Sequence, residues 1–189
     1  MKRLALFLFA AFISVAQAQE TPTTSRQENP DTPIGTRNPA APEETAQFDF
    51  VIGDWDVVIN WHGPDGQVTT YEAKWHNIWI VDGRVVMQEW RGPYIRGAEM
   101  RQFDAQAGHW VGFNIYPGGG TPKPTTANFV GGEMMVVIEG TSDARGDFLN
   151  RETYFNIEVD SWETRSDRSY DEGATWERGA YDMVATRSR

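Results

Sequence analysis

The amino-acid sequence predicts an all-β protein, an antiparallel up-and-down barrel of about eight to ten strands. Three observations carry this reading. Asp-Gly, Gly-Gly and Asn/Asp-rich breaks recur about every 8 to 14 residues, the spacing of hairpins. Between the breaks, side chains alternate with a period of two, and helical spacing is nearly absent. The connections are short, and closing a meander of hairpins into a barrel removes the exposed edges that an open sheet would leave.

The first residues lie outside that fold. A basic head, "MKR", precedes the apolar run "LALFLFAAFISV" and the small-x-small site Ala16-Gln17-Ala18. Residues 1–18 therefore read as a secretory signal peptide, too short to span a membrane. The expected location is periplasmic or secreted, with no membrane span in the mature protein. The sequence contains no cysteine, so neither a lipid anchor on cysteine nor a disulfide is expected. Residues 19–45 are rich in Pro, Thr and small polar residues and carry no apolar periodicity. They are expected to form a disordered leader whose removal barely changes stability.

Residues 46–189 make one domain, an ordinary size for a single core. "PEETAQFDFVIG" permits a short opening helix with Phe48 and Val51 on one face. Strands follow in order: "DWDVVINW", "VTTYEAKWHNIWIV", "VVMQEW", "AEMRQFD", "HWVGFNIY", "TTANFV", "GGEMMVVIEG", "LNRETYFNIEV", "SWETRS" and "TWERGAYDMVAT". In the second, Tyr71, Ala73, Trp75, Asn77 and Trp79 share one face, while Glu72, Lys74 and His76 take the other. Near the end, Thr153, Phe155, Ile157 and Val159 stand opposite Glu152, Tyr154, Asn156 and Glu158.

The stretch "SYDEGATW" fits the pattern Ser-x-Asp-x-Gly-x-Thr-Trp and resembles the Asp box of sialidase propellers. A propeller needs several blades of roughly 40 residues, and this chain of 189 residues carries one such motif. The motif is therefore a structural turn formed by Ser169, Asp171, Gly173, Thr175 and Trp176. Asp171 accepts from turn amides, Gly173 supplies a positive φ, and Thr175 and Trp176 begin a strand with the indole in the core.

Taken in order, "FDFVIGDWDVVINW", "VDGRVVMQEWRG", "FDAQAGHWVGFN" and "SYDEGATW" resemble a group of bacterial secreted proteins of unknown function with a calycin-like, lipocalin-like barrel. The likeness covers about residues 48–186. Gly53-x-Trp55 stands where lipocalins carry Gly-x-Trp at the closed end of the barrel, and Glu172 replaces the usual Gly of the final turn. The resemblance implies a fold and a ligand-sized interior, but no reaction.

The formal net charge is −10, and the basic residues are scattered rather than striped, which argues against nucleic acid as a partner. His62, His76 and His109 form no metal-ligand pair, and no thiolate exists, so no metal and no cofactor are expected. Haem-binding barrels of the nitrobindin type, whose opening is similar in Gly-x-Trp, need an axial histidine in the cavity, and none is matched. "PGGGTPKP" lacks the Lys-Ser/Thr ending of a phosphate loop and reads as a loop at the barrel mouth.

The polar residues within strands are the chemical candidates. Glu89 and Arg91 share a face with Val85 and Met87, and Glu99 and Arg101 share a face with Phe103. If these faces point inward, the cavity holds charged pairs; if outward, they form surface pairs. The candidate ligand contacts are Trp61, Trp75, Trp79, Glu89, Trp90, Glu99, Arg101 and Asn114. The expected function is binding of a small, mostly apolar molecule by a monomer or weak dimer. Two alternatives stand beside it: a carbohydrate-binding module using some of the eight tryptophans as an outer platform, and a small barrel enzyme using an internal Glu/Arg pair.

Overall fold

The computed structural model describes residues 32–189. Ten strands form one closed antiparallel barrel: β1 (Gly53–His62), β2 (Val68–Ile80), β3 (Val85–Arg91), β4 (Arg96–Asp104), β5 (His109–Ile115), β6 (Lys123–Val130), β7 (Glu133–Asp143), β8 (Gly146–Phe155), β9 (Ser161–Ser169) and β10 (Glu177–Arg187). Each pairs with its sequence neighbours, and β1 closes the ring against β10, with Trp55 opposite Arg187 and Trp61 opposite Tyr181. The all-β barrel expected from the turn spacing is what forms. The expected signal peptide, residues 1–18, lies outside the described residues, as does the leader up to residue 31.

Alternation decides what faces inward. In β1, Trp55, Val57 and Ile59 are buried while Asp54, Asp56 and Val58 are exposed. In β2, Ala73, Trp75, Asn77 and Trp79 are buried on one face. The two ends of the barrel differ. The β2–β3, β4–β5, β6–β7 and β8–β9 turns gather at one end together with a 3₁₀ helix, Glu43–Val51. This helix is a plug. Phe48 and Val51 are fully buried, and its polar groups supply acceptors to three of the core indoles. Trp55 Nε1 donates to the Val51 carbonyl at 2.6 Å, Trp79 Nε1 to Asp49 at 3.2 Å, and Trp110 Nε1 to Gln47 at 3.0 Å. A buried indole N–H left without an acceptor would cost about 1–3 kcal/mol, so the plug and the tryptophans select each other.

Two expectations are corrected. The leader was expected to be loose through residue 45, yet from Thr32 onward it lies against the closed end. Gly35 bridges to Trp79. Asn38 is fully buried, its amide nitrogen donating to Asp82 at 2.7 Å and its backbone N–H to the Gly83 carbonyl at 3.0 Å. Gly83 has φ +69°, and a Cβ there would come within 2.3 Å of the Asn38 nitrogen. The β2–β3 turn is thus shaped to receive this segment. The second correction concerns Trp176. It precedes β10 and is half-buried on the outer wall, where the Arg151 guanidinium lies 4.1 Å from its ring centroid. Trp176 faces outward because the turn runs on through it and β10 begins only at Glu177.

Candidate ligand cavity

The end opposite the plug is open. There the inward positions of the strands surround a cavity of about 790 Å³, within the range of small-molecule sites. Its wall is largely aromatic and aliphatic. Trp61 and Tyr181 stack with centroids 5.7 Å apart across the β1–β10 seam. Tyr71 meets Tyr94 edge-on at 5.1 Å. Trp90, Ile138, Phe148 and Met183 continue the wall, and "PGGGTPKP" contributes Pro117, Gly119 and Lys123 to the mouth. The sequence-based expectation for that loop was this position.

The floor is polar and buried, and it contains two linked clusters. In the first, on β3, β4 and β5, Arg101 Nη1 forms an ion pair with Glu99 at 2.9 Å, both side chains at most 2% exposed. Arg101 also donates to Gln88 and, at 3.3 Å, to Asn114. Glu99 accepts from Trp90 Nε1 at 3.1 Å and from the Tyr116 hydroxyl at 2.6 Å. Below it, Gln88 Nε2, Arg101 Nε and Asn114 Nδ2 are buried donors facing no acceptor among the described residues.

In the second cluster, on β8 and β10, Glu152 accepts from the Tyr181 hydroxyl and, at 3.2 Å, from that of Tyr154. Asn150 donates to the Tyr181 oxygen at 3.0 Å. Burial pushes the Glu152 carboxyl up to about 7, and the neighbouring Glu99 carboxylate adds to the effect. Phenol donors and Arg101 act in the opposite direction but do not cancel it. Tyr116, Tyr154 and Tyr181 are raised well above the usual phenol range, first by burial and then by the carboxylates beside them, Glu99 and Glu152 for Tyr116 and Tyr154 and Glu152 for Tyr181, so they remain protonated donors.

The candidate residues separate cleanly. Trp90, Glu99, Arg101 and Asn114 converge on the floor network. Trp75 lies beside them, stacked on Trp90 at 4.2 Å, and Trp61 stands on the rim, 44% exposed. Trp79 belongs to the plug, away from the cavity. Glu89 does not face the interior: it alternates with the buried Gln88 and Trp90, so it projects outward and pairs with Arg91 at 2.9 Å. It borders an outer groove of about 880 Å³ between β3 and β4, a groove with no buried charged group. Glu152, Tyr116, Tyr154, Tyr181, Gln88 and Asn150 were not singled out by the sequence. The available signal was the polar row Asn150, Glu152, Tyr154 on one face of β8.

The three histidines take outward positions on their strands: His62 pairs with Asp182 at 2.7 Å and His76 with Asp54 at 2.6 Å, while His109 follows the β4–β5 turn. The "SYDEGATW" turn also lies outside the cavity. Asp171 accepts from the Thr175 N–H at 2.9 Å and the Thr175 hydroxyl at 2.6 Å, and Ser169 Oγ accepts from the Gly173 N–H at 2.7 Å.

Comparison with solved structures gives the same architecture. The chain is similar to Rv2717c from M. tuberculosis, with a TM-score of 0.51 and 14% identity over 77% of this chain and 98% of that one. It is similar to the S-type phycobiliprotein lyase CPES from Guillardia theta, with a TM-score of 0.51 and 9% identity over 76% of this chain and 92% of that one. No family model and no curated protein matches the sequence. At these identities the likeness establishes the fold, a calycin/lipocalin-like barrel, and nothing finer.

Proposed function

We propose that this protein binds a small molecule with an apolar body and a polar head in the open half of its barrel, and that it does so in the periplasm or outside the cell. The observation that carries the reading is the cavity of about 790 Å³ with aromatic walls above a buried carboxyl–phenol floor. An apolar body gains by leaving water against the wall, while the floor fixes the orientation of the head. Structural neighbours of the same fold include a protein named as a phycobiliprotein lyase, which is in keeping with a barrel used for more than scaffolding. The signal-like residues 1–18 support the location.

The carbohydrate-platform alternative loses its rings: Trp55, Trp75, Trp79, Trp90, Trp110 and Trp162 are all buried. The enzyme alternative, an internal Glu/Arg pair with Glu89 or Glu99 as the base, retains one specific support, a carboxyl near neutrality beside a cavity, and that carboxyl is Glu152.

The test is native mass spectrometry of protein purified from its host, together with titration of the neutral fluorophore dansylamide. A co-purifying small molecule and saturable dansylamide binding are expected. Ile138→Trp, which fills the cavity from β7, is expected to abolish binding while the thermal melt remains cooperative. Equal binding by wild type and this variant would place the ligand elsewhere.

A further inference from the structure

The floor and the wall together define a ligand class, an inference that rests on the cavity-binding reading above. We propose that the cavity selects small organic cations, molecules whose protonated nitrogen sits against Glu152 while their body lies among the rim aromatics. Two independent features of the site point there.

The first is charge. Glu152 lines the cavity at 5% exposure. Its hydrogen-bond partners are the Tyr154 and Tyr181 phenols, and no ion pair to it exists among the described residues. Facing it are Glu99 and Arg101 from β4, which neutralise each other at 2.9 Å. The buried floor therefore holds two carboxyl groups against one guanidinium, and Glu152 is the one outside the ion pair. A ligand cation supplies the missing charge where water does not, and a charge-assisted hydrogen bond in such a place outweighs a neutral one.

The second feature is the wall. Trp61, Tyr71, Trp90, Tyr94 and Tyr181 line the cavity. Aromatic faces attract cations, most strongly when the cation has shed its water. A neutral or anionic ligand gains the apolar contact but not this term. Three cationic side chains do stand at the mouth. Arg168 is held by Asp143 at 3.0 Å and Lys123 by the Gly140 carbonyl, while Arg96 borders the rim. These charges are near solvent and are screened by salt, whereas the buried carboxylate is not. The floor therefore decides which head is accepted.

Three probes with one fluorophore test the class: dansylcadaverine (cation), dansylamide (neutral) and dansylglycine (anion). Wild type is expected to bind the cation about tenfold more tightly than the neutral probe, the difference between charge-assisted and neutral hydrogen bonding, with the anion weakest. Glu152→Gln keeps the shape and is expected to bring cation and neutral probe within about twofold of each other. The wild-type preference is also expected to grow between about pH 5.5 and 8.5, because Glu152 ionises in that window while an alkylammonium stays protonated. This pH series uses no variant, so it stands even if Glu152→Gln folds poorly. Equal affinity for all three probes, or a preference for the anion, overturns the cation class while leaving the cavity reading in place. A cation preference that survives in Glu152→Gln and is flat with pH overturns the role of Glu152. Failure of all three probes to bind overturns both readings.

Discussion

Glu152 is also expected to leave a signature in stability. Its carboxyl is pushed up to about 7 from an ordinary value of 4.5. Between those values the folded protein holds a proton there that the unfolded chain has released. The group's stabilising contribution is therefore complete below about pH 4.5 and is lost as pH rises through about 7, a difference on the order of 1–3 kcal/mol. Urea melts at about pH 5 and pH 8 are expected to show a midpoint that falls with pH in wild type and falls much less in Glu152→Gln; identical slopes would show that the carboxyl is not held near 7. Asp171 is the opposite case. Hydrogen bonds, the Thr175 hydroxyl first, lower it to about 2, so its contribution is present above the ordinary 3.8 and is lost only as pH falls through about 2. Asp171→Ala is expected to lower the melting temperature without altering probe binding, because the turn lies outside the cavity. Gly173, with φ +91°, is expected to cost roughly 1–3 kcal/mol as Val, since a β-branched residue is strained there. Unchanged melts with lost binding would make that turn a functional site. The sequence revealed Asp171 because its turn is a local pattern. It did not reveal Glu152, because both faces of β8 mix polar and apolar residues and only pairing across the barrel decides which face is inside.

At the scale of elements, strands were legible and their attachments were not. Asp82-Gly83 and Gly131-Gly132 mark turns through backbone chemistry that is written in the residues themselves. The same Asp82 and Gly83 also receive Asn38, a contact 44 residues distant in sequence that no periodicity encodes. A Pro- and Thr-rich segment reads as disordered because it buries little apolar surface, yet one buried asparagine and a matching turn suffice to fix it. Deleting residues through Ala41 is therefore expected to lower stability by roughly 1–3 kcal/mol, since Asp82 and the Gly83 carbonyl lose a buried partner. Thermal melts of the truncated and full domains check this, and an unchanged midpoint would make the docking energetically idle. The 3₁₀ helix carries more. Phe48 is fully buried and meets Trp110 edge-on at 4.6 Å. Phe48→Ala is expected to cost about 3–5 kcal/mol from lost burial and the cavity left behind.

At the scale of the whole molecule, the decisive contact is the one that makes a meander into a barrel. Nine of the strand pairings join sequence neighbours, but β1 meets β10 only after the rest of the chain has been laid down between them. Arg187 fastens that seam. Its guanidinium lies 4.3 Å from the Trp55 ring centroid and donates to the carbonyls of Ile52 at 3.2 Å and Val159 at 2.8 Å, and to Asp160 at 3.0 Å. Hairpins form quickly because their ends are near each other, whereas closing a long loop must await enough structure to repay its entropy. Closure of the ring should therefore be late, with the Arg187 contacts absent from the folding transition state. A contact that forms late slows unfolding and leaves folding untouched. Arg187→Ala is accordingly expected to speed unfolding by about tenfold for each 1.4 kcal/mol it costs, with a refolding rate close to wild type. Stopped-flow chevrons of the two proteins distinguish the cases. If the refolding arm drops and the unfolding arm stays in place, the seam belongs to the nucleus, and the barrel is organised from its closure outward rather than from its hairpins.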